Sequence, residues 1–308
     1  MTKTPESDTA VRRSRRAAAT GLSRWTLLFA APAVALYGFV LIVPTVRGAG
    51  YAFTDWDGIS REVSPVGFDN FVRVVTDPDS RSALGVTLLI AAVVTVVQNS
   101  LGLLLALGVN TGIRSRNVLR VLLFAPAVMT PVVTAYVWKY ILAPDGVLNG
   151  LLDTLGLAAL RQSWLGSQGW ALFSIILVIV WQFAGYSMVI FLAGLQGVPG
   201  EVLEAATMDG AGPAQRFWHV VRPFLAPAIT INLMLSVIGG LKLFDQVFIL
   251  TGGGPGGSTD TMSTLIYKNA FTFGEFGYSI AMALVLTVLV AAISSVQYRG
   301  LARNEARS

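Results

Sequence analysis

Cysteine is absent from the chain, and histidine occurs once, at His219. The first absence excludes disulfides, thiolate metal sites and cysteine nucleophiles. The second excludes a histidine cluster able to hold a metal or haem. Charge is scarce as well. Lys, Arg, Asp and Glu make up 13% of the 308 residues, where a soluble domain carries roughly 25%. No G-x-x-x-x-G-K-[ST] occurs. The glycine run Gly252-Gly253-Gly254-Pro255-Gly256-Gly257-Ser258-Thr259 has no lysine and precedes no suitable helix, so ATP is not held by a P-loop. H-E-x-x-H is missing too, and no Ser/His/Asp set can be assembled. No cofactor or metal is expected from these residues.

Apolar residues fill the space that charge leaves. They make up 54% of the chain, and the mean hydropathy is +0.65. This composition predicts an all-α polytopic membrane protein. Counting charge-free stretches of about 20 residues gives six transmembrane helices, near 25–46, 82–113, 121–137, 170–192, 224–241 and 279–298. The first follows a basic tail, residues 1–24, whose composition suits disorder. That run has Pro32 and Pro44 inside it and no clear A-x-A site, so it reads as an uncleaved span and not as a signal peptide. Residues 25–298 then form the transmembrane domain, and 299–308 a second tail. Six spans put both termini on one side. Fourteen Lys/Arg fall on that side and eight on the other, which predicts cytoplasmic termini. Leu148, Leu151, Leu152 and Leu155 form a helix-like stripe suited to the outer interface.

One cytoplasmic stretch, 199–223, stands out among the apolar blocks. Pro199 and Gly200 end the preceding span, and Glu201 to Met208 suit one helix. Gly210-Ala211-Gly212 breaks it, and Pro213 suits the first turn of another. Phe217, Val220, Val221 and Phe224 share one face at i, i+3, i+4 and i+7. Pro223 marks the entry to the next apolar run. On pattern alone this hairpin is either a docking element or a loop packed on its own protein. With the usual catalytic groups missing, the chain reads as a path through the membrane whose energy comes from a partner.

Glu204-Ala205-Ala206, three residues, Gly210, nine residues and Val220-Val221-Arg222-Pro223 resemble the EAA motif, E-A-A-x3-G-x9-I-x-L-P, of ABC importer permeases. Val220 stands for the isoleucine. Arg222 stands for the leucine, a charge where an apolar contact is usual. Further stretches look like the carbohydrate (maltose-type, MalF-like) inner-membrane permeases of binding-protein-dependent importers. They include Phe53-Thr54-Asp55-Trp56-Asp57-Gly58, Gly67-Phe68-Asp69-Asn70-Phe71 and Asn149-Gly150-Leu151-Leu152. Trp181 to Gly185, Ala193-Gly194-Leu195-Gln196 and Pro199 lead into the motif in the same way. Phe244-Asp245, Leu250-Thr251-Gly252-Gly253-Gly254-Pro255 and Thr259 make the most specific match.

The resemblance implies a type I ABC importer permease fold in a bacterial-type inner membrane, without catalysis of its own. The implied partners are a second homologous permease, two ABC ATPase subunits, an extracytoplasmic sugar-binding protein and the carbohydrate itself, with no nucleic acid. Glu204, Ala205, Ala206, Asp209, Gly210 and Pro223 would couple to the ATPase. Tyr186 and Ser236 match sugar-contact positions of the family. Gly240 and Leu243 stand where it can carry further polar contacts.

Polar residues inside spans are costly unless they face a cavity or the bundle. On that ground Gln182 and Asn232 join Tyr186 and Ser236 as substrate-path candidates, beside Gln98, Asn99 and Ser187. Interhelical hydrogen bonding is the alternative use of each. Lys242 and Asp245, at the outer end of the fifth span, are spaced to pair at i, i+3, or they cap that end near the docked binding protein. The glycine run gives the chain freedom to turn back towards the membrane. Two rival functions remain open. One is the same family with a glycerol-phosphate-type cargo, which would favour Arg or Lys in the cavity. The other is an integral-membrane enzyme acting on lipid-linked or sugar substrates, for which the acidic residues of 47–81 are the candidates.

Overall fold

The computed structural model describes residues 24–111 and 113–305. The predicted basic tail, Arg24 apart, lies outside them. Two units separate, Met1–Tyr51 and Ala52–Ser308. The described part of the first is a single helix, α1. It begins as Arg24–Tyr37, widens into a π-helical stretch over Gly38–Ile42 and continues as Val43–Gly50. The N–H of Val43 reaches back to Gly38 O. Pro44 has no N–H, and its ring would strike a carbonyl one α-turn back. The wider turn just before it removes that clash.

The second unit is helical throughout its long elements. Among the described residues the only extended pairing is an isolated bridge between Thr54 and Pro65. A short helix, α2 (Asp69–Thr76), leads into α3 (Pro78–Val109). Asp77 caps α3, accepting from the N–H of Asp79 at 3.1 Å. α4 (Arg116–Val128) and α5 (Pro131–Ile141) follow, then the short α6 (Val147–Thr154), which carries the predicted leucine stripe. α7 (Gln168–Gln196) crosses back to α8 (Gly200–Met208). α9 (Pro213–Leu241) returns, α10 (Asp245–Leu250) and α11 (Met262–Phe271) form a cap, and α12 (Phe276–Glu305) closes the chain. α12 runs past the predicted span end at 298, so 299–305 are helix.

Five of these helices are long and apolar enough to cross a membrane, six if α4 and α5 count as one broken span. That pair corrects the prediction of a continuous third span over 121–137. The two helices meet at 98°. Met129 and Thr130 are extended, because the residue before a proline is driven out of the helical region, and Pro131 then starts α5. Thr130 Oγ1 accepts from the N–H of Val133 at 3.3 Å and caps the new helix. The predicted hairpin needs a correction as well. Its second helix is not short and does not stop at Pro223. It is the first part of α9, carried through Pro223 by a second π-helical stretch, Phe217–Val221, in which the N–H of Arg222 bonds Phe217 O.

α3, α7 and α9 pack together along most of their length, with α4 against α7. One apolar cluster joins the C-terminal ends of α3 and α7 to the start of α9, through Val109, Met188, Phe191 and Leu225. Another joins α3, α5, α7 and α10 at the opposite end, through Ile90, Ala135, Ile175 and Val247. The helices come close where side chains are missing. A Cβ on Gly185 would collide with the backbone carbonyl of Leu123 on α4, and one on Gly240 would sit 2.7 Å from Ala91 Cα on α3.

Candidate functional site

The hairpin is built by local rules. α8 ends with Asp209 as its C-cap, and Gly210 then takes φ +79°. The N–H of Gly210 bonds Thr207 O at 3.1 Å, and that of Ala211 bonds Ala206 O at 3.0 Å. These two bonds are the Schellman closure, which needs the left-handed conformation that glycine adopts without penalty. Pro213 follows at the first position of α9, and Gln215 Oε1 accepts from the N–H of Gly212 at 3.1 Å. Arg216 ties the arms together, its Nη1 donating to Thr207 Oγ1 at 2.8 Å.

Glu204, Ala205, Asp209 and Gly210 are exposed on this hairpin, and Ala206 is half-buried. Among the described residues the Glu204 side chain makes no hydrogen bond or ion pair. It is the fifth residue of α8, too far along to serve the helix start. A shallow depression runs past Glu201, Glu204, Ala205, Met208 and Arg216. Pro223 is not on this tip. It lies ten residues into α9, half-buried. Arg222 is exposed, and its guanidinium carbon sits 5.3 Å from the ring centre of Trp218 one turn earlier. The charge in place of leucine therefore faces outward over an aromatic ring and enters no core.

A cavity of about 370 Å³ opens between α3, the α4–α5 break, α7, α9 and the turn into α10. Tyr186, Asn232, Ser236 and Gln98 are on its wall. Tyr186 is 41% exposed. The others belong to a bonded seam. Gln98 Nε2 donates to Ser187 Oγ at 2.9 Å, and Asn99 Nδ2 to Ser236 Oγ at 2.9 Å. Asn232 Nδ2 donates to Ser187 O at 3.1 Å, so α3, α7 and α9 are linked in all three pairings.

Gln182 is fully buried and is not on the cavity wall. Its Nε2 donates to Met129 O at 3.0 Å, at the break between α4 and α5. Its Oε1 accepts from Gln246 Nε2 at 3.1 Å, and Gln246 does line the cavity. A carbonyl freed by a helix break inside a bilayer needs such a donor. Gly240 also reaches the wall, and α3 crosses α9 at that point.

The expected Lys242–Asp245 pair is not formed. Both line the cavity, Lys242 from the non-helical turn between α9 and α10 and Asp245 from the first residue of α10. A cation thus stands on the cavity wall. The glycine run behaves as predicted at its turns. Gly252, Gly253, Gly256 and Gly257 all take positive φ. The loop folds around Asp260, which pairs with Lys268 at 2.7 Å and accepts from Thr264 at 2.9 Å.

Three of the acidic residues of 47–81 are committed to structure. Asp55 accepts from the N–H of Ser64 at 2.8 Å. Asp57 accepts from the N–H groups of Ser60 and Ile59, which hold its carboxyl below the usual value. Asp77 receives the hydroxyl of Tyr278 at 2.9 Å. Residues bonded in this way shape turns and helix starts.

Known proteins fit this architecture. Residues 98–304 match the family described as binding-protein-dependent transport system inner membrane component. The multiple sugar-binding transport system permease protein MsmF of Streptococcus mutans is 34% identical over 256 residues, which cover 83% of this chain and 88% of that protein. The probable starch degradation products transport system permease protein AmyD of Thermoanaerobacterium thermosulfurigenes is 32% identical over 273 residues, covering 89% and 92%. Among solved structures, a chain of a bacterial ABC transporter involved in the import of the acidic polysaccharide alginate superposes with a TM-score of 0.79. It is 23% identical and covers 91% of this chain and 96% of that one; at that identity the likeness speaks for the fold. The bundle, the broken helix pair and the family match together make this chain a multi-pass membrane protein with the type I importer permease fold, a member of the binding-protein-dependent transport system inner membrane component family.

Proposed function

We propose that the chain is the permease subunit of an ATP-driven carbohydrate importer and supplies half of the translocation path. The observation that carries this reading is the hairpin. Its turn is closed by a Schellman pair and cross-tied by Arg216, while Glu204 and Met208 point outward unbonded. Such an element transmits a push as a rigid body. ATPase subunits dock on it from the cytoplasm, with Glu204, Ala205, Ala206, Asp209 and Gly210 as the contact set. Pro223 acts one step back, where the π-helical stretch joins hairpin to span. A second homologous permease completes the path, and an extracytoplasmic binding protein delivers cargo. Both termini and the hairpin lie in the cytoplasm.

The cargo reading rests on the relatives, whose names include sugars and starch degradation products. Tyr186, Ser236 and Asn232 face the cavity as its polar wall, and Gln182 supports that wall through Gln246. The span domain over 25–298, with the hairpin as its coupling segment, belongs to the same proposal.

Purification through a tag on this chain tests the proposal. ATPase, second permease and binding protein are expected to co-purify. Gly210→Pro, which cannot adopt φ +79°, is expected to abolish uptake and ATPase retention while the spans stay folded. Wild-type ATPase retention and uptake in Gly210→Pro would remove the coupling role, and sugar uptake by the lone permease would remove the whole reading.

A further inference from the structure

We propose that Lys242 and Asp245 are the specificity-determining residues of the cavity, a charge-balanced pair that recognises sugar hydroxyls and selects neutral over anionic cargo. The inference rests on the carbohydrate reading above and adds to it the class of sugar and the residues that choose it.

The backbone that carries them is fixed. α9 ends at Leu241, and the chain leaves the helix through Lys242, Leu243 and Phe244 before α10 begins at Asp245. Leu243 is buried in the cluster with Ile90 and Val247, and its carbonyl accepts from Thr261 Oγ1 at 2.9 Å. Gln246 is held by Gln182. The turn is therefore anchored between and after the two charges. Leaving the helical path also separates them, because i, i+3 partners meet only while the helix continues.

Their side chains are not fixed. Among the described residues neither makes a hydrogen bond or ion pair, yet both line the same cavity. In a membrane protein an ionised side chain is retained where it is paired or faces a water-filled path. Here two opposite charges face one path and leave each other free. They are the two charged residues on that wall, so the lining carries no net charge. A carboxylate accepts from two neighbouring hydroxyls, and an ammonium donates to hydroxyl oxygens. A neutral sugar satisfies both, and Phe183 and Tyr186 lie on the same cavity wall. A phosphate or uronate would meet Lys242 but bring a like charge to Asp245.

The test uses the complete importer in proteoliposomes. The probes are maltose, lactose and cellobiose, each set against its aldobionate, in which the reducing end is oxidised to a carboxylate. Wild type is expected to take up at least one neutral disaccharide in preference to its aldobionate; no uptake of any neutral probe would overturn the carbohydrate reading itself. With that reference in hand, Lys242→Gln and Asp245→Asn are each expected to lower neutral uptake by about tenfold or more, the loss of hydrogen bonds to a charged group. Asp245→Asn is also expected to shift the ratio towards the aldobionate, and Lys242→Gln away from it. Asp245→Glu, which keeps the charge, is expected to hold the wild-type ratio. The pair proposal falls, with the carbohydrate reading intact, if both neutral variants stay within about twofold of wild type. It also falls if Asp245→Glu shifts the ratio as far as Asp245→Asn. Co-purification of the ATPase in each variant shows that assembly is unchanged.

Discussion

Two kinds of polar residue coexist in this bundle. Along the seam of α3, α7 and α9, Gln98, Asn99, Ser187, Asn232 and Ser236 bond one another across helices. At the hairpin and at the cavity turn, the side chains of Glu204, Lys242 and Asp245 bond nothing among the described residues. Both sets look alike on paper, as polar side chains beside apolar runs. The seam residues bond across helices within the chain, Asn99 through its amide nitrogen while its Oδ1 has no partner, so they hold the helices in register. The open residues are charged, exposed or half-buried and unsatisfied, so they are available to something outside the chain. Cross-helix bonding, more than polarity, marks the side chains that hold the bundle together, and Asn232 and Ser236 do so while also reaching the cavity wall.

Substitutions sharpen that division, since changes inside the packed bundle should cost stability and a change at an exposed side chain should not. The largest loss is expected for Gly185→Leu. Its side chain would meet the Leu123 carbonyl on α4, and a backbone collision in a packed bundle costs on the order of 3 kcal/mol. Loss of the monodisperse protein in detergent is the expected reading; a wild-type yield would show that α4 moves aside freely. Next comes Gln182→Leu. It strands the Met129 carbonyl and releases Gln246 together, a cost of about 1–3 kcal/mol. A thermal midpoint equal to wild type would mean that Gln182 is no scaffold residue. The smallest effect is expected at Arg222→Leu. The side chain is exposed over Trp218, and such surface changes stay within about 0.5 kcal/mol. Uptake and thermal midpoint should both hold; a clear fall in either would give Arg222 a role beyond its ring contact.

The hairpin shows how far sequence reading reaches. Gly210, Pro213 and the end of α8 follow from cap and turn chemistry among residues a few positions apart, and the structure has them where the pattern puts them. The long spans follow from length and charge-free composition in the same way. The π-helical stretch before Pro223 did not follow from the pattern. It depends on α9 continuing through the proline, which the docking of Val221 and Leu225 into the cluster with Phe191 sustains. The break at Met129 was partly legible, since Thr130-Pro131 is a cap followed by a first-turn proline. An unbroken apolar run concealed it.

By itself, the sequence determined the class of protein, the helices and the motif, because each depends on local composition or short spacing. Tertiary structure alone decided which polar groups are satisfied. Asn99 finds Ser236 across 137 residues and Gln182 finds Met129 across 53, distances over which no sequence periodicity carries. It likewise decided that Lys242 and Asp245 do not pair. Their spacing allowed the pair, and the turn held by Leu243 and Gln246 pulled it apart.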